Sequence, residues 1–189
     1  MQVPRSRCIS PSPRRRLPLL MLCLLLLVPS AISGGETKAR VGKLPKDSVA
    51  RNEIRTLDGG RYSLAELRGK VVVLDYFAVW CGHSKRHIPT MTRFGEAEKT
   101  QGLQVLGLAV KDEESTPERI RKFMDEMKIT YPVGRISDND FSEYVSSQDV
   151  SVPQTLVYAR DGRLVAHFSG HNDAIAAELT ETIKRELSK

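Results

Sequence analysis

The chain has 189 residues, of which 40% are hydrophobic, and a formal net charge of +6. This length allows one domain with a buried core and short extensions. Five of the 29 basic residues and none of the 23 acidic ones lie in residues 1–33. The remainder, with 24 basic and 23 acidic residues, is nearly neutral, so the composition predicts no nucleic-acid partner.

Residues 1–33 have the pattern of a secretory signal peptide. Five arginines precede the apolar run Leu17–Val28, and the small residues of Ala31–Ser33 follow it. The run has 12 residues, whereas a membrane-spanning helix needs about 20. We therefore predict export to the periplasm or another extracytoplasmic compartment, with membrane attachment only if the signal is not cleaved. Residues 34–50 are polar and predict a linker to a domain spanning residues 51–189.

Cleavage would also change the cysteine content. Of the three cysteines, Cys8 and Cys23 lie in the predicted signal peptide, so Cys81 would be the single cysteine of the mature chain. A mature chain of this kind could form no internal disulfide, although its compartment would be oxidising.

The first elements of the domain are predicted as a hairpin followed by a long strand. Asn52–Leu57 has strand character, and Asp58-Gly59-Gly60 is a turn signal. Ser63–Glu66 has the spacing of a capping box, which predicts one helical turn. Val71–Phe77 is an apolar, β-branched run typical of a buried parallel strand. A helix is then expected from Cys81 towards Lys99, with a kink at Pro89.

The rest of the chain alternates strands and helices before a terminal hairpin and helix. Thr116 is the candidate N-cap of the first of these helices, since Pro117 suits its first position. The predicted elements are a strand Leu103–Val110, a helix from Pro117 to about Lys128, a short strand Tyr131–Val133, a short helix Asp140–Ser146, strands Gln154–Tyr158 and Arg163–Phe168 around a turn, and a helix Asp173–Leu187. This order predicts an α/β fold with a central mixed β-sheet flanked by helices.

One cysteine stands where the central strand passes into its helix. Backbone N–H groups and the positive end of the helix dipole stabilise a thiolate at such a position. The placement of Cys81 after Trp80 therefore favours a reactive sulfur, with an inert buried thiol as the alternative.

The string Ala78–Lys85, Ala-Val-Trp-Cys-Gly-His-Ser-Lys, resembles the active site of protein disulfide isomerases, with Ser84 replacing the second cysteine. The preceding order Asp-Gly, Ser-Leu and Leu-Arg-Gly-Lys-Val-Val-Val is similar to the N-terminal extension of TlpA/ResA-type exported proteins, which are also grouped with AhpC/TSA relatives. This resemblance implies a thioredoxin fold with an N-terminal β-hairpin extension.

The resemblance also implies roles for residues around the cysteine. His83 would favour the Cys81 thiolate as a cation, or else be a solvated surface histidine. Ser84 could donate a hydrogen bond to the thiolate but could not resolve a mixed disulfide, and it would also fit a member that has lost activity. Trp80 would shield the cysteine. Asp75 matches the buried acid of thioredoxin, and a purely structural carboxylate is the alternative.

Two further positions complete the predicted site. Pro153 matches the cis-proline that faces the active cysteine in this superfamily, and an ordinary trans-proline at a strand start is the alternative. The backbone of Val152 would then pair with an extended substrate. His87 stands where TlpA/ResA-type chains often carry an acidic residue, and with Cys81 and His83 it offers only a weak metal-site pattern.

These observations predict a monothiol thiol–disulfide oxidoreductase or isomerase that acts through mixed disulfides on protein or small-molecule thiols and disulfides. Because Ser84 cannot resolve the intermediate, an external thiol reductant would release it. No cofactor and no metal are expected. Two alternatives stay open: a thiol peroxidase, although Phe77-Ala-Val-Trp precedes Cys81 where a peroxidatic cysteine has Pro-x-x-x-Thr-x-x-Cys, and a non-catalytic module that binds peptides or a metal.

Overall fold

The computed structural model describes residues 41–97 and 101–189. The predicted signal peptide and the first part of the predicted linker lie outside these residues. The elements in chain order are α1 (Asp47–Ala50), β1 (Ile54–Arg55), β2 (Arg61–Tyr62), β3 (Val71–Phe77), α2 (Gly82–Ala97), β4 (Leu103–Val110), α3 (Pro117–Met127), β5 (Val133–Ile136), α4 (Asp138–Val145), β6 (Gln154–Tyr158), β7 (Leu164–Ser169) and α5 (Asp173–Leu187).

A mixed sheet forms the centre of the molecule. Five strands of the described residues are ordered β5-β4-β3-β6-β7. β3 is parallel to β4 and antiparallel to β6, and β7 is antiparallel to β6. All seven residues of β3 are buried, because helices cover both faces of the sheet. The predicted α/β architecture is confirmed.

The two faces of β3 contribute to separate core clusters. Val73 and Phe77 pack with apolar side chains of α2, α3 and α5. Leu74 and Tyr76 pack with α4 and with Val49 of α1 on the opposite face. Since side chains alternate along a strand, Asp75 lies on the first of these faces, among otherwise apolar neighbours.

The N-terminal extension is a small hairpin that packs against the far edge of the sheet. β1 and β2 pair antiparallel, which confirms the predicted hairpin, although β1 is shorter than expected. Glu66 N donates to Ser63 Oγ at 3.3 Å, which is one contact of a capping box, and Ser63 Oγ donates to Glu66 Oε2 at 2.8 Å. Residues 64–69 make turns rather than a helix.

The boundaries predicted for β5 and α4 were wrong, and local hydrogen bonding explains both. The strand predicted at residues 131–133 begins only at Val133, since Pro132 has no N–H to donate to a neighbouring strand. The helix predicted from residue 140 begins at Asp138, because the Ser137 side chain accepts a hydrogen bond from Asp140 N and caps it. Helix α2 is continuous through Pro89, and the kink there stays a prediction.

The close approach of the hairpin to the sheet depends on Gly134, which has no side chain. Leu57 N donates to Val133 O at 2.8 Å, and Thr56 bridges to Gly134. A β-carbon at position 134 would overlap the Arg55 carbonyl oxygen. Gly134→Ala should therefore lower the free energy of unfolding by about 1–3 kcal/mol, as measured by urea denaturation.

Gly82→Ala is the matched control for this prediction. Its β-carbon would meet only Arg86 Nη1, at 3.9 Å, and alanine is favoured over glycine in helices by about 1 kcal/mol. This variant should be at least as stable as the parent chain. Equal stability of the two variants would show that the hairpin does not depend on close contact at Gly134.

Candidate active site

Cys81 lies directly before the first residue of α2, at the carboxyl end of the central strand. Its backbone N donates to Ala78 O at 3.1 Å, and its carbonyl accepts the first hydrogen bond of the helix from Lys85 N at 3.1 Å. The predicted placement of Cys81 at a helix start is therefore confirmed. The unpaired N–H groups of the first turn point towards this residue, which favours a negatively charged sulfur.

The sulfur of Cys81 is buried against a neighbouring loop. The side chain has 0% exposure, and its Sγ lies 3.7 Å from the carbonyl oxygen of Val152. Cys81 is one half of a disulfide in this structure, and the described residues contain no second cysteine. The chemistry below concerns the reduced form of this sulfur.

The loop that faces Cys81 contains a cis peptide bond between Val152 and Pro153, as predicted. Three hydrogen bonds hold it in place. Gly170 N donates to Pro153 O at 2.8 Å. The Gln154 side chain donates from Nε2 to Ser151 O at 2.7 Å and to Asp149 O at 3.0 Å. The Val152 carbonyl is thereby fixed beside the sulfur.

His83 and Ser84 occupy the first turn of α2 but make different contacts. His83 Nδ1 lies 2.9 Å from the Arg86 guanidinium, which can only donate. In this contact His83 Nδ1 is the acceptor, and a cationic His83 beside the thiolate stays a prediction. Ser84 has 0% exposure and accepts a hydrogen bond from Ala78 N at 3.4 Å. Ser84 therefore points into the strand–helix turn.

Trp80 packs on the core cluster that contains Cys81, in line with the predicted shielding role. Its indole Nε1 donates to Asp112 Oδ2 at 2.8 Å. Asp112 also accepts from Ser115 N at 2.7 Å through Oδ1. The carboxylate after β4 therefore fixes the orientation of the indole, and this contact was missed in the sequence because 32 residues separate the partners.

Asp75 has 0% exposure, and its partners come from other elements. Tyr131 donates to Asp75 Oδ2 at 3.3 Å. Burial, reinforced by the Asp75 carboxylate, raises the pKa of the Tyr131 hydroxyl well above its ordinary value, so this group stays a donor. A carboxylate in such an environment is costly unless it is paired.

The other oxygen of Asp75 faces a histidine on α2. His87, with 1% exposure, places Nε2 3.2 Å from Asp75 Oδ1 and 3.0 Å from Thr155 Oγ1. Oδ1 accepts no well-aligned hydrogen bond among the described residues, so the contact with His87 is electrostatic. A lone pair on Nε2 would repel the carboxylate, and we therefore assign a proton to Nε2.

His87 also connects the carboxylate to the surface. Its Nδ1 lies 3.4 Å from Nδ1 of His171, a partly exposed residue directly after Gly170. The contacts thus join Asp75, His87 and His171 in one line. Thr155, Tyr131 and His171 were missed in the sequence, because no spacing within the chain connects them to Cys81.

The residues considered for a metal do not form a site. Among residues 41–97 and 101–189, no group of three or more histidine, cysteine, aspartate or glutamate side chains is arranged to hold a metal ion. In the same residues no helix is long and apolar enough to cross a membrane.

Comparison with known proteins shows the family of this chain. The model of the AhpC/TSA family matches residues 44–167. The chain belongs to the AhpC/TSA family. Among curated relatives, thiol-disulfide oxidoreductase ResA of Halalkalibacterium halodurans is 25% identical over 134 residues, covering 70% of this chain and 73% of the relative. ResA of Bacillus subtilis is 25% identical over 154 residues, covering 80% of each chain.

Solved structures confirm the predicted thioredoxin fold of this AhpC/TSA-family chain. A thiol:disulfide interchange protein of the thioredoxin family from Chlorobium tepidum superposes with a TM-score of 0.62 at 24% identity, covering 72% of this chain and 92% of that one. StoA from Bacillus subtilis superposes with a TM-score of 0.57 at 18% identity, covering 69% and 93%. At these identities the likeness concerns the fold.

A histidine of β7, His167, supports the loop that contains the cis-proline. His167 Nε2 lies 2.7 Å from Gln154 Oε1, an acceptor, so Nε2 carries the proton. His167 Nδ1 is buried and has no partner among the described residues. Burial lowers the pKa of His167 to about 4, against a smaller opposing effect of Asp149.

This lowered pKa predicts a loss of stability in acid. The unfolded chain takes up a proton near pH 6.5, whereas folded His167 takes it up only near pH 4. The contribution is therefore complete above pH 6.5 and decreases as the pH falls to about 4, by about 2–3 kcal/mol. In His167→Gln, whose amide can still donate to Gln154, chemical denaturation should show a smaller loss between these pH values. An equal loss in both proteins would contradict the assignment.

Proposed function

We propose that this chain is an exported thiol–disulfide oxidoreductase or isomerase in which Cys81 reacts through mixed disulfides. The observation that carries the proposal is the position of Cys81. It precedes α2, and its sulfur lies 3.7 Å from the carbonyl oxygen of Val152, next to the cis-proline. This arrangement unites a thiolate-stabilising helix terminus with a fixed backbone segment that suits an extended substrate.

The family relationship supports the same activity. The two relatives named ResA are thiol-disulfide oxidoreductases by name and align over most of this chain. The composition of residues 1–33 supports export, as set out for the predicted signal peptide. The proposed substrates are thiols and disulfides of proteins or small molecules outside the cytoplasm.

The reaction begins with the reduced sulfur. The Cys81 thiolate attacks one sulfur of a substrate disulfide, a bond forms between Sγ and that sulfur, and the other sulfur leaves as a thiolate with the bonding electron pair. The product is a mixed disulfide on Cys81. An external thiolate then attacks the substrate sulfur, and Cys81 leaves as a thiolate. Exchange of partners by this route fits isomerisation of disulfides, or removal of a small thiol from a mixed disulfide, better than net reduction of a disulfide.

Ser84 determines that release needs a second molecule. It lies one helical turn from Cys81, on the buried side of the turn, where a second cysteine would stand in a dithiol protein. Its hydroxyl accepts a hydrogen bond from Ala78 N and cannot displace a disulfide. Asp75, His83 and Trp80 are proposed as supporting residues, and Val152 with Pro153 as the substrate-binding segment.

The burial of Cys81 places one condition on this reaction. A thiolate must be reached by its substrate to react, and the sulfur has no exposed surface in this structure. The sulfur must therefore become accessible when it is reduced and the substrate binds. This step distinguishes the proposal from the alternative of an inert buried cysteine.

The variant Ser84→Cys tests the monothiol mechanism. The parent protein, reduced and then mixed with a disulfide-containing peptide, should accumulate a stable adduct on Cys81 that mass spectrometry detects. In Ser84→Cys the neighbouring thiol should displace the peptide and shorten the adduct lifetime by about 100-fold or more, because the attack is intramolecular. It should also reduce insulin disulfides, which a monothiol does poorly.

Two controls accompany this experiment. Ser84→Ala removes the hydroxyl without adding a thiol, so its adduct should persist as in the parent chain. Cys81→Ser should form no adduct. Absence of an adduct in the reduced parent protein would overturn the proposal and favour a binding module that retains only the fold.

The family match also supports a second candidate, a thiol peroxidase. A peroxidatic cysteine has proline seven residues and threonine three residues before it, and this chain has Leu74 and Ala78 at those positions. Consumption of hydrogen peroxide by the reduced protein measures this activity. Rapid consumption, together with absence of the peptide adduct, would assign the peroxidase function instead.

A further inference from the structure

A line of buried side chains runs from the central strand to the loop beside the cysteine. Asp75 on β3 contacts His87 on α2, and His87 contacts His171 in the segment between β7 and α5. The proposed thiol chemistry assigns no proton-transfer role to the two histidines. Burying a histidine and a carboxylate together is costly, so a function for the arrangement is worth seeking.

Contacts of its neighbours connect His171 to the loop and to the helix that hold the reactive sulfur. It follows Gly170, whose backbone N donates to Pro153 O, and the carbonyl of the preceding Val152 lies 3.7 Å from Cys81 Sγ. His87, its partner, is in the second turn of the helix that Cys81 begins. Arg86 and His83 of the same helix are close enough to act on its charge.

The hydrogen-bonding positions along the line are determined by the carboxylate. With a proton on His87 Nε2 facing Asp75, Nδ1 of a neutral His87 carries a lone pair. His171 then donates from its own Nδ1 across the 3.4 Å contact. The remaining lone pair of His171 is on Nε2, on the opposite side of the ring, and His171 is partly exposed.

We propose that His171 is the acid–base residue that accepts the proton of the external thiol during release of the mixed disulfide, with His87 and Asp75 as its positioning residues. This inference rests on the proposed function. It also assigns a purpose to the histidine at position 87 and to a carboxylate whose usual second cysteine is absent.

The step balances without a further reactant. The thiol R–SH transfers its proton to His171 Nε2, and the resulting thiolate attacks the substrate sulfur of the mixed disulfide. A bond forms between these two sulfurs, and the bond to Cys81 Sγ breaks with its electron pair on Sγ. The His171 cation then donates towards His87, whose Nε2–H faces the Asp75 carboxylate. His171 returns its proton to solvent.

The charges around His171 suit a base that is neutral before the reaction. Burial lowers its pKa, and positive charge on the neighbouring His87, Arg86 or His83 of α2 acts in the same direction. Asp173 at the start of α5 opposes them. Behind His87 stands Asp75 on β3, with Thr155 on β6. At neutral pH the lone pair on Nε2 is therefore available.

The test uses a mixed disulfide between Cys81 and glutathione, prepared with glutathione disulfide on the reduced protein, and follows its release by mass spectrometry. Two releasing thiols are compared: 2-mercaptoethanol, mostly protonated at pH 7, and 4-mercaptobenzoate, an aryl thiol that is mostly ionised there. An alkyl thiol with a pKa of about 8.5 or higher is at most about 3% ionised at pH 7, so a local base has room to accelerate its attack by about 30-fold or more.

In His171→Gln, release by 2-mercaptoethanol at pH 7 should be slower by about tenfold, while release by the aryl thiol is unchanged. The parent rate should rise by only about twofold between pH 7 and 8, whereas the variant rate should follow thiolate concentration and rise about tenfold. His87→Gln should change the pH profile in the same direction. Equal slowing with both thiols would indicate a steric role, and unchanged release would overturn the proposal.

The formation of the adduct distinguishes this failure from failure of the proposed function. Parent and His171→Gln proteins should form the glutathione adduct at similar rates, because the attack on a disulfide needs no proton from His171. If both form it but release is unaffected by the substitution, only the role of His171 is wrong. If neither forms it, the thiol chemistry and the role of His171 are both wrong.

Discussion

The structure is organised around one buried carboxylate. Asp75 is in the middle of the central strand, on the face that otherwise packs apolar side chains of three helices. A charge in this place must be matched by groups from outside its own strand. Tyr131, His87 and Thr155 supply those groups from a loop, a helix and a neighbouring strand. The carboxylate therefore ties together the elements that form the active site.

The same requirement aligns the two parts of the site. His87 must stay within reach of Asp75, so the first turns of α2 are held over the sheet with Cys81 at their beginning. Thr155, which contacts His87, is two residues after the cis-proline. The helix that carries the sulfur and the loop that faces it are thus positioned by one polar cluster, and the 3.7 Å approach of Sγ to Val152 O follows from that arrangement.

The serine at position 84, where a dithiol protein has its second cysteine, changes the role that the buried Asp75 and its polar neighbours can have. In a dithiol protein a buried acid serves the second thiol, whereas in the mechanism proposed for this chain the Ser84 hydroxyl takes no part in disulfide exchange. The carboxylate instead faces a histidine that reaches a partly exposed second histidine. The proposed monothiol mechanism depends on an outside thiol for release, and a path for protons to the surface beside the cis-proline suits that dependence.

Local patterns predicted the elements that rely on local physics. The apolar run of β3, the Thr116 cap before Pro117 and the last helix from Asp173 appear as expected. The cis bond at Pro153 was predicted from the family resemblance rather than from the residues themselves. Errors occurred where a single polar contact sets a boundary, as with the Ser137 cap before α4.

The candidate site also has some features that local sequence determined and others that only the tertiary structure decided. The sequence determined that Cys81 ends a buried strand and begins a helix, since a β-branched apolar run followed by polar residues has few other solutions. It also determined that Asp75 would be buried, because its neighbours on the strand are apolar. Only the tertiary structure decided which groups neutralise that carboxylate. His87, Tyr131, Thr155 and His171 meet there because helix packing and strand pairing bring together residues up to about a hundred positions apart, and no periodicity along the chain records such contacts.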